Sequence, residues 1–359
     1  MIRCRTCCYP NTKPDIYFDE TGQCSACISY FNRPNIDYEA RNKKLIELLD
    51  KYDGRVIVPS SGGKDSTYIA LRLKQIGADV TAVTATTCHL TDVGRRNIDN
   101  LSQYVRTIEI TPNMQVRAKL NKLSFEMVGD AAWPEHASIH RIPFRVARDT
   151  KHHLLMYGEC GPSTYGGPAG TEDIQIMSQR FVSEFGGFLG LRPVDFVGMD
   201  GITERDMLDY QSPDDNALAE HNITAYFLGW FEPWDSHRNA KFAAEHGMIQ
   251  KLPCSANWWE AENQDNAQCG PLHDYPMFRK YGYGRGCAQI SADVRAGLVP
   301  RDVALKWIEE HDGVLDEQYM GVQLDDILDR INLTRSRFFE VMDRFTDHDL
   351  FLNSSRITL

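Results

Sequence analysis

The chain has no run of about eighteen apolar residues, so no segment reads as a membrane-spanning helix. Its first residues, Met1-Ile2-Arg3-Cys4, lack the apolar core of a secretory signal. Positive charge is in deficit: 39 lysines and arginines face 50 aspartates and glutamates, for a net charge of −11. A broad nucleic-acid surface needs a basic stripe, so that partner class is disfavoured, although a local basic pocket is not. Internal repeats and low-complexity tracts are absent as well. These absences lead to the expectation of a cytoplasmic protein with no membrane insertion and no nucleic-acid partner. At 359 residues it is long enough for a large core and more than one domain.

Cysteine, by contrast, is plentiful: there are ten. In a cytoplasmic protein these read as metal ligands, core residues or reactive thiols rather than disulfides. Cys4, Cys7, Cys24 and Cys27 form a C-x2-C-x16-C-x2-C pattern, the spacing of a four-thiolate zinc site. Each CxxC turn presents two sulfurs to one tetrahedral ion. The segment Tyr17 to Gly22 between them reads as a strand entering a tight turn. So short a unit can hardly bury a core of its own, and metal binding supplies the missing folding energy. Cys8 adjoins Cys7 and is an ambiguous ligand; the regular spacing favours Cys7.

Downstream, the apolar run Val56-Ile57-Val58 leads into Ser60-Ser61-Gly62-Gly63-Lys64-Asp65-Ser66, which opens a helix through Ala70, Leu71 and Leu73. A strand that delivers a Ser/Gly-rich turn into a helix N-terminus is a phosphate site. Glycines let backbone N–H groups point at the anion, and the helix end adds partial positive charge. The turn is not a Walker A loop. Val58 stands where that pattern needs its first glycine, and Asp65 where it needs Ser or Thr after the lysine.

Further elements alternate. A helix is expected from Tyr38 to Tyr52 and a strand from Asp79 to Thr84. A helix from Thr91 to Tyr104 and a strand from Val105 to Ile110 follow. Next come helices over Met114 to Val128 and Ile139 to His152, a strand ending at Tyr157, and a last strand over Ile223 to Leu228. Such alternation implies a parallel sheet covered on both faces, with ligands beyond the carboxyl ends of its strands. That edge would collect the loop at 60–66, the segment after Thr84 and the loop opening at Gly158-Glu159. Past Trp230 the composition shifts to tryptophan, charge and amides, then to amphipathic helices. The expected division is a zinc ribbon at 1–35, an α/β domain carrying the phosphate loop at 36–230 and a mostly helical substrate or partner region at 231–359.

Ser61 to Ser66 resembles the SGGxDS signature of the PP-loop ATP pyrophosphatases. The resemblance implies the PP-loop, adenine nucleotide alpha hydrolase-like sheet, and cleavage of ATP between its α and β phosphates with AMP passed to a substrate oxygen. The wider chain resembles the N-acetyl sugar amidotransferases of bacterial surface-polysaccharide synthesis, the WbpG-like group. Four stretches carry this: the cysteine ribbon, Ser61 to Ser66, Gly158-Glu159 with Tyr165-Gly166-Gly167, and His273-Asp274 with Lys280 to Arg285, Ser291, Asp293-Val294-Arg295 and Gly297. One departure is Cys160, where asparagine is expected after Gly158-Glu159.

The resemblance implies that ATP activates the amide oxygen of a nucleotide-linked N-acetyl sugar. Ammonia then displaces AMP and leaves an acetamidino group, a reaction placed in lipopolysaccharide O-antigen or related glycan synthesis. It implies a separate HisH-like glutaminase and, as a further element, a HisF-like ammonia-conducting subunit, since no glutaminase is evident in this chain. The cofactors are ATP, Mg²⁺ and a structural Zn²⁺. Ser61, Gly62, Gly63, Lys64, Asp65, Ser66, Thr84 and Gly158 are expected to hold the nucleotide, with Lys64, Asp65 and Glu159 in the chemistry. Asp65 is a Mg²⁺ ligand or a helix N-terminal carboxylate favoured by the dipole. Glu159 orients substrate or metal, or is a solvated loop carboxylate. Tyr165 and Arg285 are candidates for the sugar nucleotide, by stacking and by a planar cation on its diphosphate. The rival reading is a sulfur-inserting tRNA-modifying PP-loop enzyme, for which Cys88 or Cys160 would be the reactive thiol.

Overall fold

A computed structural model describes residues 1–351 apart from 34, 163–166, 168–170, 172, 212 and 214. Tyr165 therefore lies outside the described residues. Among the described residues, no helix is long and apolar enough to cross a membrane.

The centre is a five-stranded sheet of β1 (Arg55–Pro59), β2 (Asp79–Ala85), β3 (Arg106–Ile110), β4 (Leu154–Tyr157) and β5 (Thr224–Phe227), in the order β3-β2-β1-β4-β5. Every neighbouring pair is parallel, with Val56 opposite Val80 and Leu155 opposite Ala225. Parallel strands are buried on both faces, so apolar residues run continuously instead of alternating with polar ones. Val56, Val58, Ala82, Leu154 and Met156 point to one core, shared with Leu45, Leu49, Ile69 and Leu73 of the helices Tyr38–Lys51 and Lys64–Gln75. Ile57, Val83, Leu155, Ala225 and Phe227 point to the other, which takes Leu120, Trp133, Phe144 and Ala147.

The expected helix at 139–152 begins earlier, at Trp133, and runs to Thr150. Pro134 occupies its first turn, where a missing N–H costs nothing. Pro143 lies inside it and removes the hydrogen bond to the Ile139 carbonyl. That carbonyl instead accepts from the Tyr157 hydroxyl at 3.2 Å, which ties the helix to the end of β4.

Two stretches depart from the sequence reading. Between β4 and β5 lies a helix, Gln179–Phe185, followed by 3₁₀ turns. There Phe188, Phe196 and Tyr210 gather round Trp133. In the tail a two-stranded hairpin, Gln318–Tyr319 with Val322–Gln323, interrupts the helices.

The N-terminal cysteine segment docks on the tail. Arg301 donates to the carbonyls of Cys4 and Cys7 at 2.7–3.1 Å. The Arg295 guanidinium lies over the Tyr9 ring at 5.3 Å. Asp293, two positions away, accepts from the indoles of Trp258 and Trp259 at 2.7 and 2.9 Å. The Asp293-Val294-Arg295 stretch thus fastens the tryptophans and the cysteine segment.

Candidate functional site

The loop at 60–66 leaves β1 beside β4, and between these two strands the chain order reverses across the sheet. That is the switch point where parallel sheets bind ligands. Ser60 shapes the loop: its N–H donates to the Val83 carbonyl at 2.8 Å, and its Oγ accepts from Gly62 N at 3.0 Å. Gly62 is required twice over. Its φ is +76°, and a Cβ would stand 2.7 Å from Ile98 N and 2.9 Å from Asn97 C. Gly63 caps the helix that starts at Lys64, so free N–H groups face the space in front.

A cavity of about 390 Å³ opens there. Ser61, Gly62, Gly63, Lys64, Asp65, Ser66, Gly158, Glu159 and Arg285 all line it. Thr84 is not among the lining residues. Val83 and Ala85 line the cavity, and strand alternation turns the Thr84 side chain to the other face, where it is buried.

Lys64 is almost fully buried and pairs with Asp65 beside it and with Glu262 at 2.7 Å. Asp65 Oδ1 also accepts from Asn239 at 2.9 Å. Burial, and then the Asp65 charge, push the Glu159 carboxyl up to about 7 against the pull of Lys64. Burial lifts Asp265 to about 6. Glu262 is buried as well, but Lys64 more than offsets this and holds it below the usual carboxylate range. Arg285 is salt-bridged to Asp274 at 3.0 Å, which with Glu262 outweighs burial and holds its proton.

On the opposite wall, Arg117 and Glu135 form a buried pair at 3.0 Å. Glu135 also accepts from Asn121 at 2.7 Å, and Arg117 donates to the Thr86 carbonyl at 2.8 Å. Breaking such a pair strands a buried charge. Arg117→Met should therefore cost about 3–5 kcal/mol, read as a lowered denaturation midpoint. An unchanged midpoint would mean Glu135 is satisfied without its partner.

Residues 236–359 match the family model described as LPS biosynthesis protein WbpG-like, C-terminal domain. This part of the chain is similar to the WbpG-like C-terminal domain. Among solved structures, a predicted subunit of tRNA methyltransferase from Methanocaldococcus jannaschii is similar at 14% identity with a TM-score of 0.29, over 53% of this chain and 76% of that one. NMN synthetase from Francisella tularensis is similar at 13% identity with a TM-score of 0.27, over 61% of this chain and 99% of the other. No curated protein matches the chain.

The WbpG-like segment does not stand apart from the loop. It supplies Glu262, Asp265, His273 and Arg285 to the wall of the same cavity, and its Asn239 holds Asp65. Glu262, Asp265 and Asn239 escape sequence reasoning, and His273 enters it only within a stretch that carries the family resemblance, without a role of its own. The signal available was the crowding of charged and amide residues at 260–266, where Ala261 and Asn263 take positive φ values of 62° and 52°.

At the N-terminus, Cys4, Cys7, Cys24 and Cys27 are buried with their sulfurs within 4.8 Å of one another. Cys4 and Cys27 Sγ lie 3.9 Å apart, and Cys7 and Cys24 Sγ 3.6 Å apart. Four thiolates at zinc bond lengths of about 2.3 Å stand about 3.8 Å from each other, so the set fits a tetrahedral ion. Cys8 lies outside it.

Proposed function

We propose that the protein is an ATP-dependent, AMP-forming amidotransferase. It activates the N-acetyl oxygen of a nucleotide-linked sugar and replaces it with ammonia from a partner glutaminase, giving an acetamidino group for lipopolysaccharide or related glycan synthesis. The observation that carries this reading is the shared cavity: a phosphate-type loop on one side, a WbpG-like segment on the other. An amide carbonyl is a poor electrophile, and esterifying its oxygen with AMP creates a leaving group.

The backbone N–H groups at Ser61 to Lys64 and the Ser66 hydroxyl would bind phosphate, with Lys64 placing a point charge on it. Asp65, Glu159, Glu262 and Asp265 gather beside the loop, against Lys64 and Arg285. Such a wall repels a polyphosphate unless a divalent cation accompanies it. Asp65, with Glu159 close enough to feel its charge, fits that role. Mg²⁺ would neutralise phosphate charge there. Arg285 would share its guanidinium between Asp274 and the sugar nucleotide's diphosphate, and the four cysteines would hold structural zinc.

The test mixes protein, ATP, Mg²⁺, ammonium and N-acetylated nucleotide sugars. AMP and pyrophosphate should appear together with a sugar nucleotide lighter by the difference between O and NH. Glutamine should not replace ammonium without the partner. If only unmodified tRNA with a sulfur donor stimulates AMP release, the rival reading holds. Against that rival, neither Cys88 nor Cys160 lines the cavity, and burial pushes the Cys88 thiol up to about 11, away from a reactive thiolate.

A further inference from the structure

The cavity wall carries a histidine, backed by a carboxylate, that nucleotide binding leaves unused. His273 lies in a π-helical turn, Gly270–Asp274, immediately before the helix Tyr275–Tyr281. Such wide turns re-aim a side chain and recur at functional sites. Its Nδ1 lies 2.8 Å from Asp130 Oδ2. Asp130 is itself fixed: it follows Gly129, the left-handed cap of the helix Met114–Val128, and its other oxygen accepts from Ala132 N at 2.8 Å. A Cβ at Gly129 would stand 2.7 Å from the Phe345 ring, so the cap is held from behind as well.

With Asp130 accepting the Nδ1 proton, Nε2 is the basic nitrogen of the ring. Among the described residues nothing hydrogen-bonds to it, and the side chain remains one-fifth exposed on the cavity wall. His136 stands edge-on at 5.4 Å between ring centres and also lines the cavity. Its Nδ1 is engaged 3.1 Å from the Gly187 carbonyl oxygen.

We propose that His273 is the general base of the ammonia step, with Asp130 as its positioning residue. The assignment rests on the amidotransferase reading above. In that step the ammonia nitrogen forms a bond to the activated acetamido carbon, and one of its protons passes to His273 Nε2. The bond from that carbon to the AMP oxygen breaks, and its electron pair leaves with AMP. The imidazolium then releases its proton to solvent. Burial disfavours charge on His273, but Asp130 outweighs it and raises the pKa above that of a free imidazole. Asp274 adds to the effect and Arg285 opposes it, while burial and His273 lower the pKa of His136. Lys280 and Tyr281 are the other titratable groups that feel Asp130. Because the base form does the work, turnover should fall as pH drops through the His273 pKa.

The experiment measures AMP release against free ammonia, at saturating ATP and N-acetylated nucleotide sugar, across pH. His273→Gln should lower kcat on the order of 10²–10⁴-fold, the usual worth of a general base, and abolish the acid limb. Asp130→Asn should keep the limb but move it to lower pH, since the carboxylate that favours imidazolium is gone. A merely structural role would lower activity in both variants without moving the limb. If the wild type is active and His273→Gln keeps its limb and a rate within a few-fold, the assignment is overturned. If the wild type releases no AMP with any N-acetylated nucleotide sugar, the amidotransferase reading fails first and takes this step with it.

Discussion

Lys64→Ala should lower AMP and pyrophosphate formation on the order of 10²–10³-fold, the scale for removing one preorganised donor from developing charge. The effect should fall on turnover more than on folding, for a reason visible in the pairing. Lys64 is the cation that faces both Asp65 and Glu262. Its loss strands Glu262, but a carboxyl at the wall of an open cavity can take up a proton instead of remaining charged. The sign of the pH effect follows. In the wild type Glu262 sits below its ordinary pKa, so it stabilises the fold above that value and loses this contribution as pH falls. The variant should lack this term, and the stability gap between the two proteins should close towards acid pH. Product analysis by chromatography and denaturation at two pH values checks both parts. ADP and phosphate as the sole nucleotide products of the wild type would refute the phosphate-loop assignment, and unchanged turnover in the variant would remove Lys64 from it.

The sheet and the loop were legible because their signals are local. Val56 to Val58 is an unbroken apolar run, and Ser60 to Ser66 carries its own turn chemistry within a few residues. The partners of the loop and of His273 were not legible, because Glu262 meets Lys64, and Asp130 meets His273, only through tertiary packing across long sequence separations. Thr84 lies outside the cavity lining for a narrower reason. The end of a strand was identified, but the parity that points Val83 and Ala85 into the cavity was not. Arg285 reached the cavity as expected, yet as a partner of Asp274 across the left-handed turn at Gly282, a pairing that spacing alone does not reveal. Asp293 and Arg295 belong to the stretches that carry the family resemblance, and the fold uses them as fasteners.

Cys24→Ser should remove the bound metal and unfold the ribbon. Four buried sulfurs at 3.6–3.9 Å in the two measured pairs match a filled tetrahedron, and a structural zinc supplies about 10–16 kcal/mol of apparent binding energy to such a unit. Among the described residues of the segment, regular structure is one helix, Ser25–Phe31, and isolated bridges at Arg3–Pro10 and Phe18–Cys24. Without the ion, the carbonyls of Cys4 and Cys7 should leave Arg301, and Tyr9 should leave Arg295, exposing the apolar face shared with Ile290 and Ile308. Metal analysis should find about one zinc per wild-type chain, as one four-cysteine set allows, and almost none in the variant. Limited proteolysis should cut the variant within its first residues while the sheet resists. Cys8→Ser should keep the metal, since Cys8 stands outside the sulfur cluster. Full occupancy in Cys24→Ser, or metal loss in Cys8→Ser with Cys24 intact, would mean the ion is held by a different set of thiols.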